Sequence, residues 1–129
     1  MIDWRQTIAV AIGGSFGCVC RYIVGQLFIQ RFGPGFPYGT LFINVTGSFF
    51  IGVIAQLALT NAFGITPLVR VFLMTGIIGG YTTFSTFALE NVNLLSDSYS
   101  LPAIYLSASV ILGLGAAALG RVVGGLLVR

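Results

Sequence analysis

The sequence predicts an all-α integral membrane protein of four transmembrane helices, the third broken near its middle. Three observations carry that reading. Of 129 residues, 57% are hydrophobic and only 7% charged, with a mean hydropathy of +1.01, whereas ordinary soluble domains are about one quarter charged. Four stretches reach the length of about 20 apolar residues that a hydrocarbon core demands. One of them carries Gly79-Gly80-Tyr81-Thr82-Thr83, and adjacent Gly followed by β-branched Thr is a poor continuous helix.

The first span covers about residues 7–29 and holds Arg21 at depth; the second, 39–63, carries no charge. The third, 68–89, has Arg70 at its entrance and Glu90 at its exit, and the fourth, 101–128, is uncharged until Arg121. The connections 30–38, 64–67 and 91–100 are short and rich in turn formers such as Gly33-Pro34-Gly35. The whole chain, 1–129, therefore reads as one four-helix transmembrane domain. Its first segment is too long for a cleavable signal peptide, follows an acidic residue and contains an Arg, so it is expected to stay in the protein.

The charged residues are six Arg against Asp3, Glu90 and Asp97, with no Lys and no His. No His base, Lys Schiff base or paired-carboxylate site can be assembled, so an enzyme is not expected. The scattered Arg form no basic stripe, and no nucleic-acid partner is expected. With four spans both termini share one side, which collects Arg5, Arg70, Arg121 and Arg129 against Arg31 and Arg21. That bias favours cytoplasmic termini. Cys18 and Cys20 point about 200° apart on a helix, which suits neither a disulfide nor a shared metal, and they read as two small buried residues.

Small residues recur four apart: Gly13 with Gly17, Ser48 with Gly52, Gly76 with Gly80, Ala116 with Gly120, and Gly120 with Gly124. Such pairs let membrane helices approach closely. Four tightly packed helices leave no room for a wide internal cavity, and a homodimer is the expected remedy.

Polar groups inside the spans are costly and mark candidate functional positions. Thr40, Asn44 and Ser48 share one face of the second span, with Gln56 two steps further on. They suit either a pore lining or a polar seam between helices. In the fourth span Tyr105, Ser109 and Gly113 repeat the spacing, while Ser107 points elsewhere. Arg21 fits either snorkelling to the interface or a buried structural or anion-attracting role. At the break, Thr82, Thr83 and Ser85 can satisfy released backbone groups, and exposed carbonyls and amides there can face a cation or an anion. A glycine hinge for packing is the alternative. Phe84 and Phe87 fall on one helical face, where ring edges can attract an anion without trapping it, or simply pack.

The stretch Gly79 to Phe87, GGYTTFSTF, resembles the signature of the CrcB/Fluc family of fluoride channels. The order of GGxxGxxxRY (Gly13 to Tyr22), GTLFINVTGSFFIG (Gly39 to Gly52) and Glu90 agrees with it across essentially the whole chain. The resemblance implies a passive, fluoride-selective channel, built as an antiparallel homodimer of dual topology with two pores along the interface. It further implies a structural Na⁺ at the dimer centre, held by backbone carbonyls of Gly79 and Thr82 from both subunits. Asn44 would donate into the pore beside an aromatic box of Phe84 and Phe87. Thr40, Ser48, Thr83, Ser85, Tyr105 and Ser109 would belong to the fluoride path, and Arg21 and Glu90 to a vestibule or the structural frame. The Arg count of four against one or two departs from the small bias that insertion in both directions needs.

Fluoride is small and strongly hydrated, so a selective pore must replace its water with neutral donors and still release it. The expected activity is fluoride export down its electrochemical gradient across the inner (plasma) membrane of a bacterial cell, conferring fluoride resistance. The rival classes are a proton-coupled small four-helix drug exporter, which needs a membrane-embedded carboxylate, and an assembly subunit without transport.

Overall fold

In a computed structural model of the chain, the four apolar stretches form helices long enough to cross a membrane: α1 (Trp4–Phe32), α2 (Tyr38–Leu59), a third span (Pro67–Leu94) and α5 (Ser100–Leu126). The structure describes residues 2–96 and 98–128. The third span consists of α3, residues 67–81, and α4 (Phe84–Leu94). Between them Thr82 (φ −81°, ψ 158°) and Thr83 (φ −151°, ψ 122°) are extended.

Local chemistry sets the helix ends. Asp3 caps α1 by accepting from the Arg5 N–H at 2.9 Å, and Thr66 caps α3 ahead of Pro67. Gly33, at φ 77°, closes α1 with its N–H on the Ile29 carbonyl. Two ends differ most from the sequence reading. The second helix stops at Leu59 instead of running to residue 63, because Asn61 and Phe63 turn the chain with φ of 50° and 59°. The third span continues past residue 89 to Leu94, so Glu90 lies inside a helix instead of at its exit. Leu94 is buried against Phe87 and Tyr105, and that contact carries the helix through a polar run that composition alone reads as a loop.

The break itself falls two residues after the glycines. Gly79 keeps helical angles (φ −63°, ψ −35°), and a Cβ on Gly80 would stand 2.5 Å from the Gly14 carbonyl oxygen. Gly80 serves close packing on α1, and the threonines make the break. Residues Val71–Ile78 of α3 are π-helical, a wider coil found mostly at functional or strained sites. They bring the Phe72 and Ile77 carbonyls against Gly13 and Gly17.

The helices therefore pack as two pairs, α1 on α3 and α2 on α5. In the second pair Gly52 faces the Ala117 carbonyl, and Gly120 and Gly124 face the Phe49 and Val53 carbonyls. The start of α1, the end of α2, the start of α3 and the end of α5 meet at one end of the bundle. Large apolar side chains are exposed along every span, as a chain solvated by lipid allows. Cys18 is exposed and Cys20 only half-buried, against the expectation of two buried residues, because α1 turns its other face, through Gly13 and Gly17, to α3.

Candidate functional site

The interruption of the third span frees backbone groups, and one side chain from α2 takes up two of them. Asn44 Nδ2 donates to the Thr83 carbonyl at 3.0 Å while Asn44 Oδ1 accepts from the Thr83 N–H at 2.9 Å. This reciprocal pair fixes which way the amide points, and it leaves the second N–H of Nδ2 unused by Thr83. Thr83 Oγ1 caps α4 by accepting from the Thr86 N–H at 3.3 Å. Because the Thr83 N–H is turned to Asn44, it does not bond the Gly79 carbonyl as a continuing helix would, and among the described residues no backbone donor reaches the Thr82 carbonyl across the break.

These groups line a groove of about 350 Å³ between α2, the break and α5. Asn44, Ser48, Thr82, Thr83 and Ser109 supply its polar wall, and Ile51, Ile78, Phe84, Phe87 and Val110 its apolar one; none of the lining residues is charged. The Ser109 hydroxyl oxygen is buried there with no hydrogen-bond partner. A buried polar group left in that state costs about 1–3 kcal/mol, which a ligand or water in the groove would relieve. Phe87 is 9% exposed, but Phe84 is 80% exposed and projects from the subunit. Their ring centroids lie 5.8 Å apart at 46°. The groove thus has one ring inside it and one reaching outward.

A second polar cluster adjoins it. Glu90 accepts from the Thr40 hydroxyl through Oε1 and from the Tyr105 hydroxyl through Oε2, both at 2.7 Å. Tyr105 is fully buried, edge-on to Phe36 at 5.4 Å and packed on Phe87 at 5.1 Å. Thr40 and Glu90 line a cleft of about 260 Å³ beneath the connection between α1 and α2. The Phe87 ring joins the two clusters, touching Tyr105 and lining the groove. Removing the Tyr105 hydroxyl leaves one Glu90 oxygen without its donor. Tyr105→Phe is expected to cost about 1.5–3 kcal/mol, read as a lowered unfolding midpoint in detergent, while Tyr99→Phe, at an exposed position, leaves it unchanged.

The structure thus gathers Asn44, Ser48, Thr82, Thr83, Phe84, Phe87 and Ser109 in one groove and Thr40, Glu90 and Tyr105 in the next. Ser85 is exposed on the rim, its Oγ 3.4 Å from Thr83 Oγ1. Gly79 lines neither the groove nor the cleft. Arg21 joins neither cluster and donates to Cys18 Sγ at 3.5 Å, and Gln56 lies at the far end of α2 near Arg121.

Two contributors escape the sequence reading. A Cβ on Gly47 would stand 2.3 Å from Thr82 Cγ2, so a glycine there lets the break approach α2. Thr46 Oγ1 lies 3.1 Å from the Tyr81 hydroxyl, tying the last helical residue before the break to α2 as Asn44 ties Thr83. Both follow Asn44 within the NVTG run, which in retrospect marks the strip of α2 that holds the break.

A family profile described as "CrcB-like protein, Camphor Resistance (CrcB)" matches residues 8–121. The chain belongs to this CrcB family. Its relatives include the "Fluoride-specific ion channel FluC" of Rhizobium meliloti, 48% identical over 82% of this chain and 85% of its own length. The "Fluoride-specific ion channel FluC 1" of Nitrobacter hamburgensis is 48% identical over 89% and 91%. A FluC protein of Hydrogenobaculum is 46% identical over 93% and 98%. Family membership and the four spanning helices make this chain a multi-pass membrane protein.

Proposed function

We propose that this chain is the subunit of a fluoride-selective channel that lets fluoride leave the cytoplasm passively, down its electrochemical gradient. The groove carries the reading: an uncharged lining with an amide N–H, orphaned or rim hydroxyls and two aromatic rings. Neutral donors replace the water of a small anion without the tight capture a Lys or Arg would impose. The relatives' names point to the same ion.

Polar groups open to lipid are costly, and the groove with its outward Phe84 is closed most simply by a second copy, giving a homodimer. Antiparallel packing would set two breaks face to face, each offering the Gly79 and Thr82 carbonyls that the break leaves without backbone donors. Four hard oxygens of this kind fit a Na⁺ ion, which unwound membrane helices hold in the same way. Its contribution would be structural. Such a dimer requires insertion in both orientations, in the plasma membrane of a bacterial cell. Membership of a family whose relatives are named fluoride channels supports a channel and not an enzyme.

Fluoride efflux from liposomes holding the reconstituted protein, read with an ion-selective electrode, tests the reading. Fluoride flux should far exceed chloride flux; equal rates overturn it. Phe84→Ile and Phe87→Ile are expected to cut fluoride flux at least about tenfold, on the scale of about 1.4 kcal/mol in the barrier, without changing the oligomeric state in detergent.

One observation favours a second reading. Glu90 is a carboxylate inside a span, as a proton-coupled exporter requires. Both its oxygens are engaged by hydroxyl donors. Efflux that follows an imposed proton gradient and loses that coupling in Glu90→Gln would favour the exporter.

A further inference from the structure

A pocket of about 540 Å³ lies at the end of the bundle where α1 and α3 begin and α2 ends. Its polar lining is Arg70, Gln6, Asn61 and Thr75, and its apolar floor includes Val71 and Met74. We infer that it binds the phosphate group of an anionic phospholipid, with Arg70 as the principal donor.

Depth supports this. The third span, Pro67–Leu94, is centred near residues 80 and 81. Arg70 is the fourth residue of that span, in its first turn, the level at which the hydrocarbon core gives way to headgroups. The Arg70 side chain is exposed and has no ion-pair or hydrogen-bond partner among the described residues. A guanidinium matches phosphate oxygens with two parallel donors, and a carboxamide N–H beside it adds a third. The apolar floor takes the first acyl carbons, which a free phosphate would leave unused.

Charge asymmetry points the same way. The other cleft at this end, lined by Gln56, Thr60 and Arg121, again combines an Arg with an amide and a hydroxyl over aliphatic residues. Arg5 lies at this end too; the acid there is Asp3, engaged in capping α1. The cleft at the opposite end contains Glu90 and no Arg among its lining residues. Anionic headgroups therefore meet Arg5, Arg70 and Arg121 at one end, against Arg31 and Glu90 at the other. The inference does not depend on which ion the groove conducts.

The test is lipid binding to the full-length protein in detergent, followed by native mass spectrometry and thermal unfolding. Phosphatidylglycerol, phosphatidylcholine and inorganic phosphate are titrated separately. Phosphatidylglycerol should bind best and raise the unfolding midpoint. Arg70→Gln should weaken it about tenfold, the loss of a charge-assisted hydrogen bond, while Arg31→Gln, at the opposite end, leaves it unchanged. Gln6→Leu with Thr75→Val, both lining the pocket, provides the same test with the guanidinium kept, expecting a smaller loss in the same direction. Equal binding of phosphatidylcholine, equal stabilisation by inorganic phosphate, or unchanged affinity in folded variants of both kinds would overturn the inference.

Discussion

Asn44→Ala is expected to lower stability by about 2–6 kcal/mol and to reduce fluoride flux at least about tenfold. The first figure follows from the two groups it abandons: the Thr83 N–H and carbonyl both lose their partner at the break, at about 1–3 kcal/mol each. Thr83 is buried, so water cannot readily replace the amide. The second figure follows from the Nδ2 N–H that Thr83 leaves unused and that lines the groove. Its loss removes a donor from any anion passing there, about 1.5–3 kcal/mol for a charged acceptor. Asn44→Asp keeps the acceptor for the Thr83 N–H but turns a second oxygen on the Thr83 carbonyl, and an ionised carboxylate at membrane depth is costly. It should be no more stable than Asn44→Ala and recover no flux. Unfolding in detergent and liposome efflux measure the two quantities. Wild-type flux through a stably folded Asn44→Ala protein would remove Asn44 from the path.

Gly120→Ala should have the other large effect, on assembly of the fold. A Cβ at that position would meet the Phe49 carbonyl oxygen at 2.1 Å and the Val53 nitrogen at 3.1 Å. Both are backbone atoms, and no rotamer change relieves the clash. Gly52, where a Cβ would stand 2.3 Å from the Ala117 carbonyl oxygen across the same seam, locks the two helices at this distance. Overpacking typically costs about 1–3 kcal/mol, and here α2 carries Asn44 away with it. Gly115→Ala is the control, because a Cβ there meets nothing within 4 Å. Helix propensity then favours Ala over Gly by up to about 1 kcal/mol. The two substitutions on one helix should shift the unfolding midpoint in opposite directions; a common direction would show that propensity, not the backbone seam, governs the pair.

Four spans, an interruption in the third and a polar face on the second were legible because each rests on local pattern. Length against bilayer thickness, low helix propensity and four-residue spacing are properties of a segment read by itself. The positions of the ends were less legible. Phe63 was hydrophobic enough to extend a span yet sits in a turn, and the run after Leu89 was polar enough for a loop yet stays helical because Leu94 is buried at its end. The glycine pair was correctly read as special, but its purpose is the approach of Gly80 to Gly14. The break comes from the following threonines, whose backbone finds a partner on another helix.

The sequence by itself determined that this chain is a membrane protein with few charges, four helices and a disrupted third span, since hydropathy and propensity act residue by residue. Tertiary structure alone decided which polar groups meet. It sorted one stripe on α2 into Thr40 on Glu90, Asn44 on Thr83 and Ser48 in the groove. It also left the Ser109 hydroxyl unpaired and turned Phe84 outward while burying Phe87. Hydrogen bonds and ring contacts extend only a few ångströms, and partners 39 or 50 residues apart come within that reach only when close-packed glycines set the distance between helices.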